Sequence, residues 1–404
     1  MNKKKESKVV PNVRFKGFTD DWKQRKFGDV VQVRRGLIYK PSDVQETGVR
    51  VLRSSNINED TFVCGNDDVF VNPKTVNIDT VKQNDILITS ANGSSRLVGK
   101  HALIKGIPNE SAIHGGFMLL GRTKNYDFIN ASMNSSWYIR FINIYVTGGN
   151  GAIGNLSKSD LDEQLILVPS DLEQKKIGVY FANLDHLITL HQQKITLLTK
   201  LKKAMLEKMF PKKGSVIPEF RFNGFANAWE QRKFEDMAVR SSEISSETIL
   251  PRVEYEDIIS GTGCLNKNIF DKESCKNGII FHKGDVLYGK LRPYLQNWLL
   301  PSFNGIAVGD FWVLKPQNVD SSFLYILIQS RKFDEIANQS TGTKMPRADW
   351  NLVSKSKFFI PCTVDEQATI GTYFKRLDNL ITLHQRKIDM LKKLKSACLS
   401  EMFI

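Results

Sequence analysis

Leu184-Asp-His-Leu-Ile-Thr-Leu-His-Gln-Gln-Lys-Ile195 recurs in the same chain as Leu377-Asp-Asn-Leu-Ile-Thr-Leu-His-Gln-Arg-Lys-Ile388. Ten of the twelve residues are identical, and the likeness extends over 170–210 and 363–403 at a constant offset of 193 residues. A repeat of this length indicates that one structural unit is used twice, so it decides the architecture before any other feature.

Both copies have the pattern of a long helix. Each begins with a Ser/Thr-x-x-Glu pattern, Ser170 to Glu173 and Thr363 to Glu366, which predicts a capping box at a helix start. The residues that follow alternate at spacings of four and three, as in the seam of a coiled coil. The predicted seam consists of Leu184, Ile188, His191, Ile195, Leu198 and Met205 in the first copy and Leu377, Ile381, His384, Ile388, Leu391 and Cys398 in the second. About 40 residues at ~1.5 Å each give a helix of roughly 60 Å, and two such helices are expected to pack together.

Two polar residues, His191 and His384, lie on this seam. A ligand or catalytic role is one interpretation. The other, which the pattern favours, is that they are buried polar residues that fix the register of a coiled coil.

Composition describes an ordinary globular chain. Its 404 residues, 41% hydrophobic and 25% charged, allow two or three domains. There is no run of eighteen apolar residues, and the charged segment Met1-Asn-Lys-Lys-Lys-Glu-Ser-Lys8 precedes no apolar stretch, so we expect a cytoplasmic protein without a membrane partner. We expect reduced thiols, because no spacing suits zinc or a disulfide framework; the cysteines are Cys64, Cys264, Cys275, Cys362 and Cys398.

The charge balance indicates a polyanionic partner. Lysine and arginine exceed aspartate and glutamate by 14, and no basic amphipathic segment suggests a membrane surface. Nucleic acid is therefore the expected partner.

A second repeat precedes each long helix. The segment Pro11–Asp29 recurs as Pro218–Asp236 with eleven of nineteen residues identical, at an offset of 207. The two repeats frame inserts of different sequence, about 30–168 and 237–360, which we interpret as mixed α/β domains. The predicted division is 1–169 for the leading segment and first domain, 170–210 for the first helix, 211–361 for a linker and second domain, and 362–404 for the second helix. The predicted class is α+β, with an internal pseudo-two-fold repeat and an antiparallel two-helix spine between the domains.

Local patterns within the inserts predict strands and short helices. Strand-like runs are Val49–Arg53, Asp85–Thr89 and Phe311–Leu314, and short helices are expected at Ile129–Phe141 and Ser321–Arg331.

Polar loops at corresponding places in the two inserts are candidate DNA contacts. Asn84-Asp85 and Gly284-Asp285 each lead through a strand into a polar loop, and small-residue loops, 147–155 and 341–347, precede each helix. Side chains of these types hydrogen-bond base edges and phosphates; solvated loop tips are the alternative interpretation. The candidates are Arg53, Ser54, Asn56, Ser90, Asn92, Ser94, Arg96 and Asn150 in the first insert and Lys290, Arg292, Tyr294, Gln296, Lys344 and Arg347 in the second.

Patterns that suggest enzymatic chemistry fail when compared with the repeat. Gly149-x-Gly151-x-x-Gly154 fits a dinucleotide fingerprint, but the corresponding loop of the second half lacks it. The Asp171-x-Glu173-x-Lys175 cluster has Ala368 in place of the lysine in its second copy, so helix capping explains it better. Neither an adenine-methyltransferase Asn/Asp-Pro-Pro-Tyr motif nor a Walker lysine loop occurs. No catalytic or metal-binding residue is predicted.

Taken together, the paired Trp22-Lys-Gln-Arg-Lys-Phe and Trp229-Glu-Gln-Arg-Lys-Phe segments, the Leu-Asp-x-Leu-Ile-Thr-Leu-His-Gln helices and the two dissimilar inserts resemble the specificity subunit of a type I restriction-modification system over nearly the whole chain. The resemblance implies two target-recognition domains, each reading one half of a split asymmetric site in double-stranded DNA. It also implies modification subunits, two of them, that bind S-adenosylmethionine, and restriction subunits that use ATP and Mg²⁺, with no cofactor on this chain. Helices of the expected length would place half-sites about one DNA turn, ~34 Å, apart.

Two other classes remain open from the sequence. One is a nucleic-acid enzyme with its own active site, such as a fused methyltransferase-endonuclease, against which the missing catalytic motifs argue. The other is a structural coiled-coil adaptor, against which the excess positive charge argues.

Overall fold

The computed structural model describes residues 10–404 except 109, 147–153, 213, 248, 273, 275 and 340–344. The chain forms two compact units, residues 1–190 with 387–404, and residues 191–386. Each of the two long helices contributes to both units, because the division falls within each helix.

The first unit contains fourteen strands among the described residues. They are β1 (Lys23–Lys26), β2 (Gln32–Arg35), β3 (Val44–Gln45), β4 (Val49–Leu52), β5 (Ile57–Asn58), β6 (Thr61–Phe62), β7 (Val69–Val71), β8 (Ile86–Thr89), β9 (Ala91–Asn92), β10 (His101–Leu103), β11 (Ala112–His114), β12 (Met118–Arg122), β13 (Gly154–Asn155) and β14 (Leu165–Val168). Its helices are α1 (Phe27–Val30), α2 (Tyr126–Ser132), α3 (Ser136–Tyr145), α4 (Lys158–Glu163) and the first part of α5 (Asp171–Lys208).

Two four-stranded sheets, in the orders β10-β8-β12-β2 and β11-β4-β7-β3, form the body of this unit. Both faces of strand β8 are covered, because all four of its residues are buried. Side chains alternate between the two faces of a strand. Leu87 accordingly joins Leu52 and Leu120 in one core, whereas Ile86 and Ile88 face a second core with the helices.

The second unit repeats most of this plan. Its strands are β15 (Glu230–Lys233), β16 (Ala238–Ser241), β17 (Ile244–Ser245), β18 (Arg252–Val253), β19 (Ile258–Ile259), β20 (Cys264–Leu265), β21 (Gly278–Phe281), β22 (Val286–Gly289), β23 (Trp298–Leu299), β24 (Gly305–Ala307), β25 (Phe311–Pro316) and β26 (Lys357–Ile360). Its helices are α6 (Ser321–Leu327), α7 (Arg331–Ala337), α8 (Trp350–Lys355) and α9 (Val364–Met402), of which the last part belongs to the first unit.

One of its two four-stranded sheets, β16-β25-β22-β23, matches the first unit strand for strand. The other, β17-β21-β24-β18, differs at its centre. In the first unit β7 pairs with β4, but in the second β21 pairs with β24. Both sheets nevertheless keep one parallel pair, β11 with β4 and β18 with β24. The predicted α+β class and the internal repeat are therefore confirmed.

The predicted strands correspond to β4, β8 and β25, and each predicted short helix is a pair of helices. In the first unit α2 ends at Ser132 and α3 begins at Ser136, and in the second α6 and α7 are interrupted in the same way. The serine N-cap Ser330 accepts a hydrogen bond from the N–H of Phe333 in α7. A serine N-cap satisfies one free N–H at a helix start and so favours a new helix at that position.

The seam predicted for the long helices is their least exposed face. Leu184, Ile188, Leu377 and Ile388 are buried, and the remaining seam residues, Ile195, Leu198, Met205, Ile381, Leu391, Cys398 and the two histidines, are partly buried. Within each unit the two helices run antiparallel. Tyr180 contacts Cys398 and Asp185 pairs with Lys395 in the first unit, and Lys202 pairs with Asp378 in the second.

The capping boxes predicted at the starts of α5 and α9 are only half formed. The hydroxyls of Ser170 and Thr363 accept the N–H groups of Glu173 and Glu366, each at 3.4 Å. The glutamate side chains, however, do not return to the cap as the prediction required.

Each glutamate instead binds an arginine from the segment that leads into the domain. The guanidinium of Arg14 donates to both carboxylate oxygens of Glu173 at 2.7 and 2.8 Å, and that of Arg221 donates to Glu366 at 2.7 Å twice. The glutamates are 1% and 3% exposed, and a buried carboxylate requires such a partner. These two pairs, the Arg–Glu clasps, fasten the beginning of each domain to the helix that follows it.

Equivalent aromatic clusters hold each helix end on a domain. In the first unit the ring of Phe403 lies 6.1 Å from that of Trp22 and 5.7 Å from that of Phe128. In the second, Phe210 lies 6.0 Å from both Trp229 and Phe323. None of the described helices combines the length and apolarity needed to span a bilayer.

Candidate nucleic-acid interface

A cleft of about 870 Å³ in the first unit brings three predicted contact residues together. Arg53 and Ser54 follow strand β4, and Asn92 ends β9. The amide nitrogen of Asn92 donates to Ser54 Oγ at 3.0 Å, and Arg53 Nη2 donates to the carbonyl of Asp67 at 2.8 Å. Amide, hydroxyl and guanidinium groups therefore share one surface, and these are the groups that read base edges.

Backbone packing holds the wall of this cleft. The N–H of Leu37 donates to the carbonyl of His114 at 2.9 Å. A Cβ on Gly36 would lie 2.0 Å from the carbonyl oxygen of Gly115, and one on Gly116 would lie 2.9 Å from Ile38. Only glycine permits this approach of the two segments, so the side chains beside them are held by rigid backbone.

Two predicted contacts in this unit are corrected by their burial. Asn56 is 1% exposed, and its amide nitrogen donates to the carbonyl of Val63 and to Asp68. Its side-chain oxygen accepts the N–H of Arg53 at 2.8 Å, so Asn56 shapes the turn that carries Arg53. Ser90 is 7% exposed. Neither side chain is therefore available at the surface as a direct contact.

The other predicted residues of the first unit lie elsewhere. Ser94 and Arg96 are exposed in the turn after β9, and Ser94 donates its N–H to Asn92 Oδ1 at 2.9 Å. Asn150 and Lys344, together with most of the two small-residue loops, lie outside the described residues.

In the second unit, cationic residues converge on a carboxylate that the sequence did not single out. Lys290 Nζ lies 3.5 Å from Asp310 Oδ1, and Arg347 Nη2 lies 3.0 Å from Asp310 Oδ2. The hydrogen bond from Arg347 holds the pKa of Asp310 below its usual range. Two cations facing one ionised carboxylate leave net positive charge at this surface, as a phosphate-bearing ligand requires.

The loop between Lys290 and Trp298 has an uncommon backbone. Arg292 and Gln296 adopt left-handed conformations with φ of 50° and 55°, which cost roughly 1–2 kcal/mol each for residues other than glycine. The N–H of Arg292 donates to the carbonyl of Pro346 at 2.7 Å, which ties this loop to the segment of Arg347. Tyr294 at the tip is 56% exposed. Strain of this kind accumulates at functional sites.

The two units present different chemistry at one equivalent backbone position. Strands β8 and β22 correspond, and the carbonyl of Phe117 accepts the N–H of Ser90 at 2.9 Å just as the carbonyl of Asp310 accepts the N–H of Lys290. Phe117 is 68% exposed and lines the cleft. Sequence analysis missed both residues, because only the pairing register of β12 and β25 shows that they are equivalent.

Among the described residues, no group of three or more histidine, cysteine, aspartate or glutamate side chains is arranged to hold a metal ion. The seam histidines instead face each other, with their Nδ1 atoms 2.9 Å apart. The four described cysteines that carry no bridge are Cys64, Cys264, Cys362 and Cys398.

Two copies of one scaffold with different polar and apolar loop side chains define a two-domain recognition protein. The family model described as "Type I restriction modification DNA specificity domain" matches residues 19–200 and again 226–393. The chain therefore belongs to the family of type I restriction-modification DNA specificity proteins.

Relatives outside this chain agree with that assignment. The chain is 24% identical over 277 residues to the type I restriction enzyme MjaVIII specificity subunit of Methanocaldococcus jannaschii, covering 62% of this chain and 63% of the relative. It is 21% identical over 239 residues to the EcoDI specificity subunit of Escherichia coli, covering 52% and 54%. These matches thus span less than two thirds of either relative. The fold is shared with a crystal structure of the type I restriction-modification S subunit from M. genitalium, with a TM-score of 0.64, 14% identity and coverage of 98% and 99%.

Proposed function

We propose that this chain is the DNA sequence-specificity subunit of a type I restriction-modification complex, in which each domain reads one half of a split, asymmetric site. The observation that carries the proposal is the equivalence of Phe117 and Asp310. One scaffold presents an exposed aromatic ring in the first unit and a carboxylate between cations in the second. Different side chains at one position of a repeated scaffold read different bases.

The charge of the chain supports DNA as the ligand. The excess of 14 positive charges favours a polyanion, and Lys290, Arg292 and Arg347 carry part of that charge on the loops that would face it. Binding should accordingly weaken as salt rises, with base contacts adding selectivity to a general phosphate attraction.

The long helices carry the features expected of a scaffold for modification subunits. Besides the seam, each helix has a second apolar stripe at helical spacing that is 37–63% exposed. Exposed apolar stripes of this kind bind in grooves of partner proteins. The stripe residues are Leu187, Leu190, Leu197 and Leu201 on α5 and, at the offset of 193, Leu380, Leu383, Met390 and Leu394 on α9.

Each unit contains four of these eight positions. We therefore propose two modification subunits, one for each unit, with restriction subunits joining the assembly through them. Leu197→Asp combined with Leu383→Asp should remove one modification subunit, which native mass spectrometry of the purified complex would show. Thr199→Asp on the same helix is the matched control, because Thr199 is exposed and lies away from the stripe. Retention of both subunits by the double variant would contradict this assignment.

We propose further that the chain has no catalytic activity of its own and binds no cofactor. S-adenosylmethionine, ATP and Mg²⁺ would belong to the partner subunits. Purified chain incubated with labelled S-adenosylmethionine and DNA should transfer no methyl group and cleave no DNA until a modification subunit is added. Methyl transfer by the chain alone would contradict the proposal.

The deciding experiment is a comparison of methylated adenines between cells that carry the chain with its modification partner and cells that lack the chain. One split, asymmetric motif should disappear when the chain is absent. Replacement of residues 237–360 by the insert of another member of the family should change one half of that motif and leave the other half unaltered. A motif that persists without the chain, or that changes in both halves, would contradict the proposal.

A further inference from the structure

We infer that Phe117 and Ile38 form an apolar reading surface in the first unit that recognises the 5-methyl group of thymine in the major groove. This inference rests on the proposed function and adds the base and the residues that read it. Phe117 is 68% exposed and Ile38 is 89% exposed, and both line the cleft that contains Arg53, Ser54 and Asn92.

Two large apolar side chains stand exposed at this place. Burying a large apolar side chain contributes about 1.5–3 kcal/mol, so the exposure of Phe117 and Ile38 needs a structural reason. Backbone geometry prevents their burial, because the segments of Ile38 and Phe117 are fixed by the hydrogen bond from Leu37 to His114 and by the glycines at their crossing. The exposure is thus built into rigid backbone, and the surface is preformed for a ligand.

The neighbours of the two apolar side chains are a guanidinium, a hydroxyl and an amide, which are the groups that hydrogen-bond base edges in the major groove. Among the four bases, thymine alone presents an apolar group on that edge, its 5-methyl. Apolar wedges that separate base pairs act from the minor groove and bend the duplex, so edge-reading neighbours favour the thymine methyl.

The second unit has different chemistry at this place. There the position equivalent to Phe117 is Asp310, between Lys290 and Arg347. A carboxylate makes no favourable apolar contact with a methyl group. Sensitivity to the thymine methyl through this position should therefore be confined to the half-site that the first unit reads.

The experiment uses the full chain in complex with its modification subunit and duplexes that carry the methylated motif. Each thymine is replaced in turn by deoxyuridine, which removes only the methyl group. Loss of one buried methyl should weaken binding about fourfold at one or more thymines of a single half-site. Phe117→Ser and Ile38→Ser should bind the thymine duplex more weakly and lose this discrimination, and Phe117→Leu should retain part of it.

Ile244→Ser is the matched control, because Ile244 is 72% exposed in the second unit; it should leave the discrimination in the half-site read by the first unit intact. If no deoxyuridine replacement weakens binding, or if the serine variants still discriminate, the inference is wrong. It is equally wrong if these variants lose the modification subunit while DNA discrimination is unchanged, since the surface would then bind protein. A complex without any sequence preference would instead contradict the proposed function itself.

Discussion

The Nδ1 atoms of His191 and His384 lie 2.9 Å apart, and the two residues occupy the same position in the two copies of the repeated helix. In an antiparallel pair of equivalent helices, only the residue at the centre of the register can meet its own counterpart. The ion pair of Asp185 with Lys395 and that of Asp378 with Lys202 agree with this register, because they are the same pair with the two copies exchanged. Both histidines lie in the second unit, where the seam brings each against its own counterpart.

This register predicts that a half chain forms a symmetric dimer. Residues 1 to about 215 should fold and pair through α5, with His191 meeting its copy and Phe210 taking the place of Phe403 in the aromatic cluster. With a modification subunit, the dimer should methylate an inverted repeat of the first half-site. Sedimentation and methylome mapping test this. A monomeric half chain, or a dimer that still selects the asymmetric motif, would show that the two helices are not interchangeable.

The Arg–Glu clasps should contribute strongly to the stability of each unit. Arg221→Met leaves the buried carboxylate of Glu366 without its bidentate partner, which should lower the free energy of unfolding by about 3–5 kcal/mol. Urea denaturation measures this change. The exposed pair of Arg331 and Glu335 is the control, since solvent screens this pair and Glu335→Gln should cost far less. Similar losses for the two variants would show that burial does not strengthen the clasp.

The loop after β22 should supply base readout in the second half-site. Arg292→Ala should weaken binding to the methylated motif by ~1–3 kcal/mol and relax selectivity in one half-site only. Loss of a lysine that contacts phosphate would instead weaken binding to all sequences equally and flatten the salt dependence. Binding titrations on matched and mismatched duplexes at several salt concentrations distinguish the two. Unchanged affinity and an unchanged methylated motif would exclude this loop as a contact.

The buried side chain of His114 should make the stability of the first unit sensitive to acid. Burial lowers the pKa of this histidine to about 4, whereas an unfolded histidine titrates near 6.5. As pH falls below ~6.5 the unfolded state takes up the proton first, so stability decreases until the folded pKa is reached and then levels off. The loss should amount to about 3 kcal/mol between pH 7 and pH 4.

Urea denaturation at pH 7 and pH 4 measures that loss, with tryptophan fluorescence as the probe. His114→Gln should reduce the pH dependence, and the same substitution at the exposed His282 should leave it unaltered. An equal acid effect in the His114 variant would assign the sensitivity to other groups.

Sequence reasoning predicted the repeats, the long helices and the strands, because these depend on local periodicity and on identical residues. It could not predict that Glu173 binds Arg14 across 159 residues rather than its own helix cap, since no periodic pattern reports a long-range ion pair. Asn56 was misassigned for a related reason: its side chain suits both base readout and a turn, and only burial distinguishes the two. Phe117 was missed because an apolar residue is expected inside a domain.

The junction of the leading segments with the helix ends has a topological consequence. The N–H of Phe220 donates to the carbonyl of Lys208, and the N–H of Val13 donates to that of Glu401, each at 2.9 Å. In the second unit residues 211–217 connect the end of α5 covalently to the leading segment. In the first unit the end of α9 and the leading segment meet without a covalent connection. A circular permutant with Phe403 linked to Val10 and a break within 211–217 would keep every contact described here. We therefore expect the order of the two domains along the polypeptide to be exchangeable without loss of the fold.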